Sequence, residues 1–267
     1  MGDGLLAETV AALRRLHGAS WERLRVERAV VGVVFSGVKL SDGSGGLAGT
    51  PRPEGRWLQE APQPPGALAG LPAAGLLEPW PEDPYRRALA VAALNALSAP
   101  WLRPERYRVV ADRDALALLE LKAGMSVALV GAFSSYIDRL KAVSGLRLKV
   151  LELRAEALRD ADRGLFVPAF RAAEVLPGCD AVLITGMTVV NETLEGLLAL
   201  AAPKAQVILV GPSGSLLPDE LFARGVRWAS GCVVCDPDAA LDLLSQGARA
   251  RHLYGACARR VNLAPLS

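Results

Sequence analysis

The feature that most constrains this chain is a regular alternation, over residues 126–246, of short apolar runs with segments at helical spacing. The runs SVALVG (126–131), LRLKVLELR (146–154), AVLIT (181–185), QVILVG (206–211) and WASGCVV (228–234) are mostly apolar, as strands covered on both faces must be. Between and after them, helices are predicted at 134–143, near 170–175, and at NETLEGLLALAA (191–202), DELFARG (219–225) and DAALDLLSQ (238–246). Strand, helix, strand in this rhythm predicts crossover connections and an open parallel sheet clad by helices, a Rossmann-like α/β architecture. ADRDALALLELK (111–122) reads as one more helix leading into it.

The first hundred residues follow another pattern. LLAETVAALRRLH (5–17) is an amphipathic opening helix, and RAVVGVVFSGVKLS (28–41) is β-branched and reads as one or two strands. The segment SDGSGGLAG, with Gly43, Gly45, Gly46 and Gly49, is expected to be a turn free to approach a ligand closely. From Pro51 to Pro84 the density of Pro and Gly predicts an irregular excursion with at most a short helix near 66–76, followed by a helix at 85–99. The segment 101–109 lacks periodicity, which places a domain boundary there: a smaller α+β unit over 1–104 and the α/β unit over 105–267.

A hydrophobic content of 51% with 22% charged residues is that of a packed globular chain, and no apolar run is long enough to span a bilayer, so no membrane partner is expected. The opening MGDGLLAETV has no basic region before its apolar residues, so the expected location is the cytoplasm. A net charge of +2, balanced across both halves, argues against nucleic acid as a partner. One local exception is the end of the chain, where Arg249, Arg251, His252, Arg259 and Arg260 follow the last acid, Asp242. This basic tail reads as a solvated surface or a subunit contact of a homo-oligomer, with anion binding as the alternative.

In open α/β sheets ligands lie beyond the carboxyl ends of the strands, which selects the loops after 130, 152, 185 and 210. There Gly131, Gly186, Gly211 and Gly214 permit close approach, and Ser134, Ser135, Thr185, Thr188, Ser213 and Ser215 offer hydroxyls. The ordinary reading of the same residues is helix caps and tight turns, with Asn191 capping the helix that follows it. Glu152 stands at the spacing of a ribose-binding acid, but GAFSSY lacks the further glycines of a dinucleotide fingerprint. Nucleotide or S-adenosylmethionine-like binding by an enzyme is therefore the alternative, with Lys39 and Asp42 as candidate acid–base groups across the crevice.

Cys232, Cys235 and Asp236 offer two thiols and a carboxylate to a soft metal, yet a structural zinc site needs a second such pair, and small core residues is the competing reading. With two histidines, His17 and His252, and no nucleophile elbow, hydrolase chemistry is not expected.

The order VALVGAF, VLELR, DAVLITGMTVVNETLEGLL, VILVGPSGSLLPDELFARGV resembles the "putative heavy-metal chelation" family over roughly residues 120–245, with GVVFSGVKLSDGSGGLAGT giving a looser match over 20–100. The resemblance implies an enolase-N-terminal-like domain paired with a Rossmann-like one. It implies a cleft between them that binds or chelates a metal or metal-containing small molecule, a transition metal being the cofactor it suggests. It further implies ligand contacts at Gly131, Phe133, Thr185, Thr188, Asn191, Thr193, Gly211, Pro212 and Ser213. None of these is a strong donor for a bare cation, so chelation through a metal-bound organic molecule is the expected form.

Overall fold

In the computed structural model residues 4–52, 64, 66–78 and 80–266 are described. The chain opens with helix α1 (Leu5–His17), where Leu5, Val10 and Leu13 are buried on one face, as the spacing predicts. Strands β1 (Val26–Val31), β2 (Phe35–Leu40) and β3 (Gly45–Gly49) form an antiparallel sheet in that order. The expected glycine turn is therefore largely a strand. Its glycines serve packing: a Cβ on Gly46 would lie 2.1 Å from the Ala92 carbonyl oxygen, so only glycine lets β3 lie against helix α2 (Pro84–Ser98). Asp83 caps α2, accepting from the Tyr85 and Arg86 amides, and Pro84 occupies its first turn, a start signal legible in the sequence. Of the Pro/Gly excursion, residues 53–63, 65 and 79 lie outside the described residues, and within 66–76 a 3-10 helix forms at Ala73–Leu76.

Among the described residues the second sheet has eight strands: β4 (Tyr107–Ala111), β5 (Ser126–Val130), β6 (Arg147–Glu152), β7 (Phe166–Pro168), β8 (Ala181–Thr185), β9 (Gln206–Val210), β10 (Val226–Val234) and β11 (Ala258–Pro265). Their spatial order is β4-β11-β10-β9-β8-β5-β6-β7. The run from β10 to β7 is parallel, whereas β11 pairs antiparallel with both β10 and β4. The open parallel sheet expected from the sequence is present from β10 to β7, and β11 and β4 add an antiparallel flank to it. Helices α3 (Ser134–Lys141), α4 (Ala172–Val175), α5 (Met187–Val190), α6 (Leu194–Leu200), α7 (Asp219–Ala223), α8 (Pro237–Ser245) and α9 (Ala250–Leu253) fill the connections.

Two local readings change, and the tail gains a strand. The helix expected at 111–122 is instead the end of β4 and a 3-10 turn at Ala115–Leu118, because the backbone takes φ +55° at Asp112 and Asp114 caps a tighter turn through the Leu116 amide. The basic tail divides between α9 and its N-cap, with Arg249, Arg251 and His252, and the start of β11, with Arg259 and Arg260; all but Arg260 are exposed, as a solvated surface requires. By contrast, β11 is an interior strand in which Val261, Asn262 and Leu263 are buried, and its pairing with β4 spans about 150 residues and leaves no local trace. The helix expected at 191–202 is α6, shorter than expected, and a separate single turn, α5, precedes it. Asn191 closes α5 rather than capping α6, and Glu192 follows it at φ +58°.

Apolar residues form one continuous core that includes α1, α2 and β2–β3 together with one face of the large sheet, from Leu13 and Leu94 to Ile184, Leu209 and Leu263. The other face is covered by α3 and the turn at Ala115, through Leu116, Ile137 and Leu140. Leu47 of β3 and α8 enclose a third, smaller cluster with Cys232 and Cys257.

Candidate functional site

The sheet's order reverses beside β5: the chain passes from β5 to β6 and β7 on one side, then returns to β8, β9 and β10 on the other. The connections leaving the paired carboxyl ends of β5 and β8 run to opposite sides there, and this is where an open α/β sheet leaves room for a ligand. Gly131, immediately after β5, has φ +103°, and a Cβ on it would stand 3.1 Å from the Cβ of Thr185 at the end of β8. Glycine therefore sets how closely these two tips approach. Phe133, which precedes α3, lies over the same position, its ring 3.4 Å from that Cβ. Gly131, Phe133 and Thr185 are half-buried, and Ser134 at the start of α3 is exposed. The Thr185 Oγ1 accepts a hydrogen bond from the Met187 amide at 3.2 Å, and Thr188 Oγ1 donates to the Thr185 carbonyl at 2.6 Å. The β8 loop is thus internally braced.

Glu152, at the end of β6, uses its carboxylate on the loop beside it. Oε2 accepts from the Ala132 amide at 3.0 Å and Oε1 from the Leu153 amide at 2.7 Å. The acid at the spacing of a ribose-binding group here holds the loop after β5 in shape.

The remaining candidates divide by exposure. Gly186, Thr188, Pro212 and Ser213 are buried. Ser213 Oγ accepts from the Gly49 amide at 2.8 Å, and Asn95 Nδ2 donates towards the carbonyls of Leu47 at 2.7 Å and Pro212 at 3.1 Å. A Cβ on Gly186 would lie 2.8 Å from the Gly214 amide nitrogen. The β9 loop is therefore packed under β3 and α2, and the N-terminal sheet covers this part of the edge. Gly211 is half-buried, with φ +113°, while Asn191 and Thr193 are exposed beyond α5.

Lys39 and Asp42 do not meet the edge at β5 and β8. Lys39 Nζ bonds Asp238 and Glu27, each at 2.8 Å, and these carboxylates raise its pKa. Asp42 accepts from the Ser44 amide in the β2–β3 turn. Cys232, Cys235 and Asp236 are likewise kept apart in role. Cys232 is buried beside Ser215 and desolvation pushes its thiol up to about 12, Cys235 is exposed, and Asp236 caps α8 by accepting from the Ala239 amide. Among the described residues no three His, Cys, Asp or Glu side chains stand close enough to share a metal ion. The donor set does not fit a resident bare cation. His17 Nε2 lies 2.8 Å from the Leu97 carbonyl oxygen, and His252 Nδ1 accepts from the Arg249 amide, so both histidines are held locally.

Sequence reasoning missed what the tail brings. Arg260 of β11 lies half-buried at this same carboxyl edge with Tyr254, and Tyr136 of α3 lies nearby, its ring in contact with Phe133 at 5.6 Å between centroids. The two cavities described lie elsewhere. One, of about 340 Å³, is lined by Trp80, Arg86 and Leu89 beside α2, and one of about 320 Å³ by Met125, Cys179, Asp180 and Lys204 at the opposite edge of the sheet.

A mixed eight-stranded α/β sheet, carrying an antiparallel three-stranded module across part of its carboxyl edge, defines the class of protein. Residues 114–263 match a family model described as "Putative heavy-metal chelation", residues 14–98 match a second with the same description, and the chain belongs to this family. An uncharacterized protein of Methanocaldococcus jannaschii is 31% identical over 160 residues, 60% of this chain. The match spans 59% of that curated relative's length. The crystal structure of a protein of unknown function from the same family, from Pyrococcus horikoshii, superposes with a TM-score of 0.78 at 19% identity over 98% of this chain and 100% of that one. Another, from Desulfitobacterium hafniense DCB-2, gives 0.72 at 26% identity over 96% and 98%. No helix among the described residues is long and apolar enough to cross a membrane.

Proposed function

We propose that the chain binds a small anionic, metal-chelating molecule at the carboxyl edge of the large sheet, between the tips of β5 and β8. The observation that carries this reading is the strand reversal at β5 and β8, where Gly131 at φ +103° approaches Thr185 and half-buried Phe133 forms a wall. The metal is cargo, arriving in the ligand's own donors, because the groups nearby are hydroxyls, an aromatic ring and backbone amides, and the carboxylate of Glu152 is engaged by the Ala132 and Leu153 amides. Soft or borderline cations need such donors for tight capture, so a bare ion gains little here. Calorimetric titration of the full chain with Zn²⁺ alone, nitrilotriacetate alone and their 1:1 complex tests this. The complex is expected to bind, to lose affinity in Thr185→Val, and to exceed bare Zn²⁺. Absence of heat with all three probes, or equal binding of Zn²⁺ with and without chelator, would overturn it. Adenine absorbance carried by the purified protein would instead favour a nucleotide-dependent enzyme.

A further inference from the structure

Strand alternation in β11 sends Arg259 to solvent and turns Arg260 inward, to a half-buried position opposite Cys232 of β10. The guanidinium carbon lies 4.8 Å from the centre of the Tyr254 ring, and Tyr136 stands in the field of the Asp114 carboxylate and, more weakly, of the Arg260 charge. Unlike Arg224, which bonds Glu8, Glu195 and Glu220, Arg260 forms no ion pair with any described carboxylate. A half-buried arginine with no ion-paired carboxylate keeps N–H donors for an incoming anion, and packing on one aromatic ring occupies only one face of its guanidinium. Burial pushes the Tyr136 hydroxyl up to about 12 and raises that of Tyr254 as well, so both stay protonated at neutral pH and can donate. Tyr136 contacts Phe133, which itself lies over Gly131, so these groups continue the edge between β5 and β8.

We propose that Arg260, with the hydroxyls of Tyr136 and Tyr254, binds the oxyanion group, carboxylate or phosphate, of a small molecule. The proposal rests on the reading of the carboxyl edge as the ligand site and supplies the charge that reading lacked. A planar guanidinium takes such a group through paired N–H donors, and the phenols complete its coordination.

The test is titration of the full chain with citrate and, separately, inorganic phosphate, which distinguishes the two sources of oxyanion. At least one is expected to bind, Arg260→Gln to weaken it about thirtyfold, as for a lost charge-assisted hydrogen bond, and Tyr136→Phe to weaken it severalfold. Because Arg260→Gln could unsettle β11, phenylglyoxal labelling of the wild-type chain gives a second readout: the bound oxyanion should protect the peptide carrying Arg260. Binding that survives Arg260→Gln, or labelling of Arg260 that the oxyanion leaves unchanged, would overturn this assignment while leaving the Zn²⁺–nitrilotriacetate test standing. Failure of both oxyanions to bind would overturn it as well. Loss of the chelate complex alone would instead count against the edge as its site.

Discussion

Gly131 sits at φ +103° with Thr185 Cβ 3.1 Å from where its own Cβ would be, so Gly131→Ala combines a strained backbone with a tight contact. A loss of about 1–3 kcal/mol is expected in urea unfolding, the range for a non-glycine residue held in such a conformation. Glycines 45, 46 and 49 were legible as conformationally special, yet their purpose, close packing against Pro237, Ala92 and Met187, exists only once those partners are assembled. The cysteines separate in the same way. Cys179, Cys232 and Cys257 are buried with thiols raised by desolvation, whereas Cys235 is exposed. A thiol reagent at pH 8 is expected to titrate one group rapidly in the native chain and four in urea, since only thiolates react. Rapid reaction of more than one native thiol would show that the small cluster around Cys232 is open.

The connection from β6 to β7 is clasped to α3 by Asp162, a carboxylate with 1% side-chain exposure that bonds Lys141 at 2.9 Å and Arg159 at 2.6 Å, while Arg159 also bonds Asp138. Lys141 first, then Arg159, hold the Asp162 carboxyl below its ordinary value of 3.8. A carboxyl with a depressed folded-state pKa adds stability that is complete above the unfolded value and disappears as pH falls through the folded one. Urea midpoints should therefore drop below about pH 4, and Asp162→Asn should have a lower midpoint at pH 7 with a shallower acid-induced decline. An unchanged acid limb in the variant would remove Asp162 from the account. Element types in this half were readable because buried parallel strands are apolar throughout. The exceptions, β4, β7 and β11, are short or polar-flanked and are stabilised by neighbours far away in sequence, such as Asn262 donating to the carbonyls of Val110 and Arg113.

At the scale of the molecule, α1, α2 and the small sheet share one core with the large sheet, and Asn95 and Ser213 join α2, β3 and the β9 loop by buried hydrogen bonds. Cooperative unfolding is expected when apolar burial is continuous, so tryptophan fluorescence and far-ultraviolet circular dichroism should report one coincident urea transition. Two separated transitions would mean that the small sheet and the large one are energetically independent. The linear pattern of apolar runs determined by itself that the second half is an α/β sheet and which loops end at its carboxyl edge, since a strand buried on both faces has no alternative composition. It also carried the family's motifs in order. Only the tertiary structure decided which of those loops stays accessible: β3 and α2 bury the β9 loop, while β11 arrives from the chain's end to set Arg260 beside Tyr254. Strand order and coverage depend on pairings between distant segments, and those are fixed by the packing of the whole core rather than by any local run of residues.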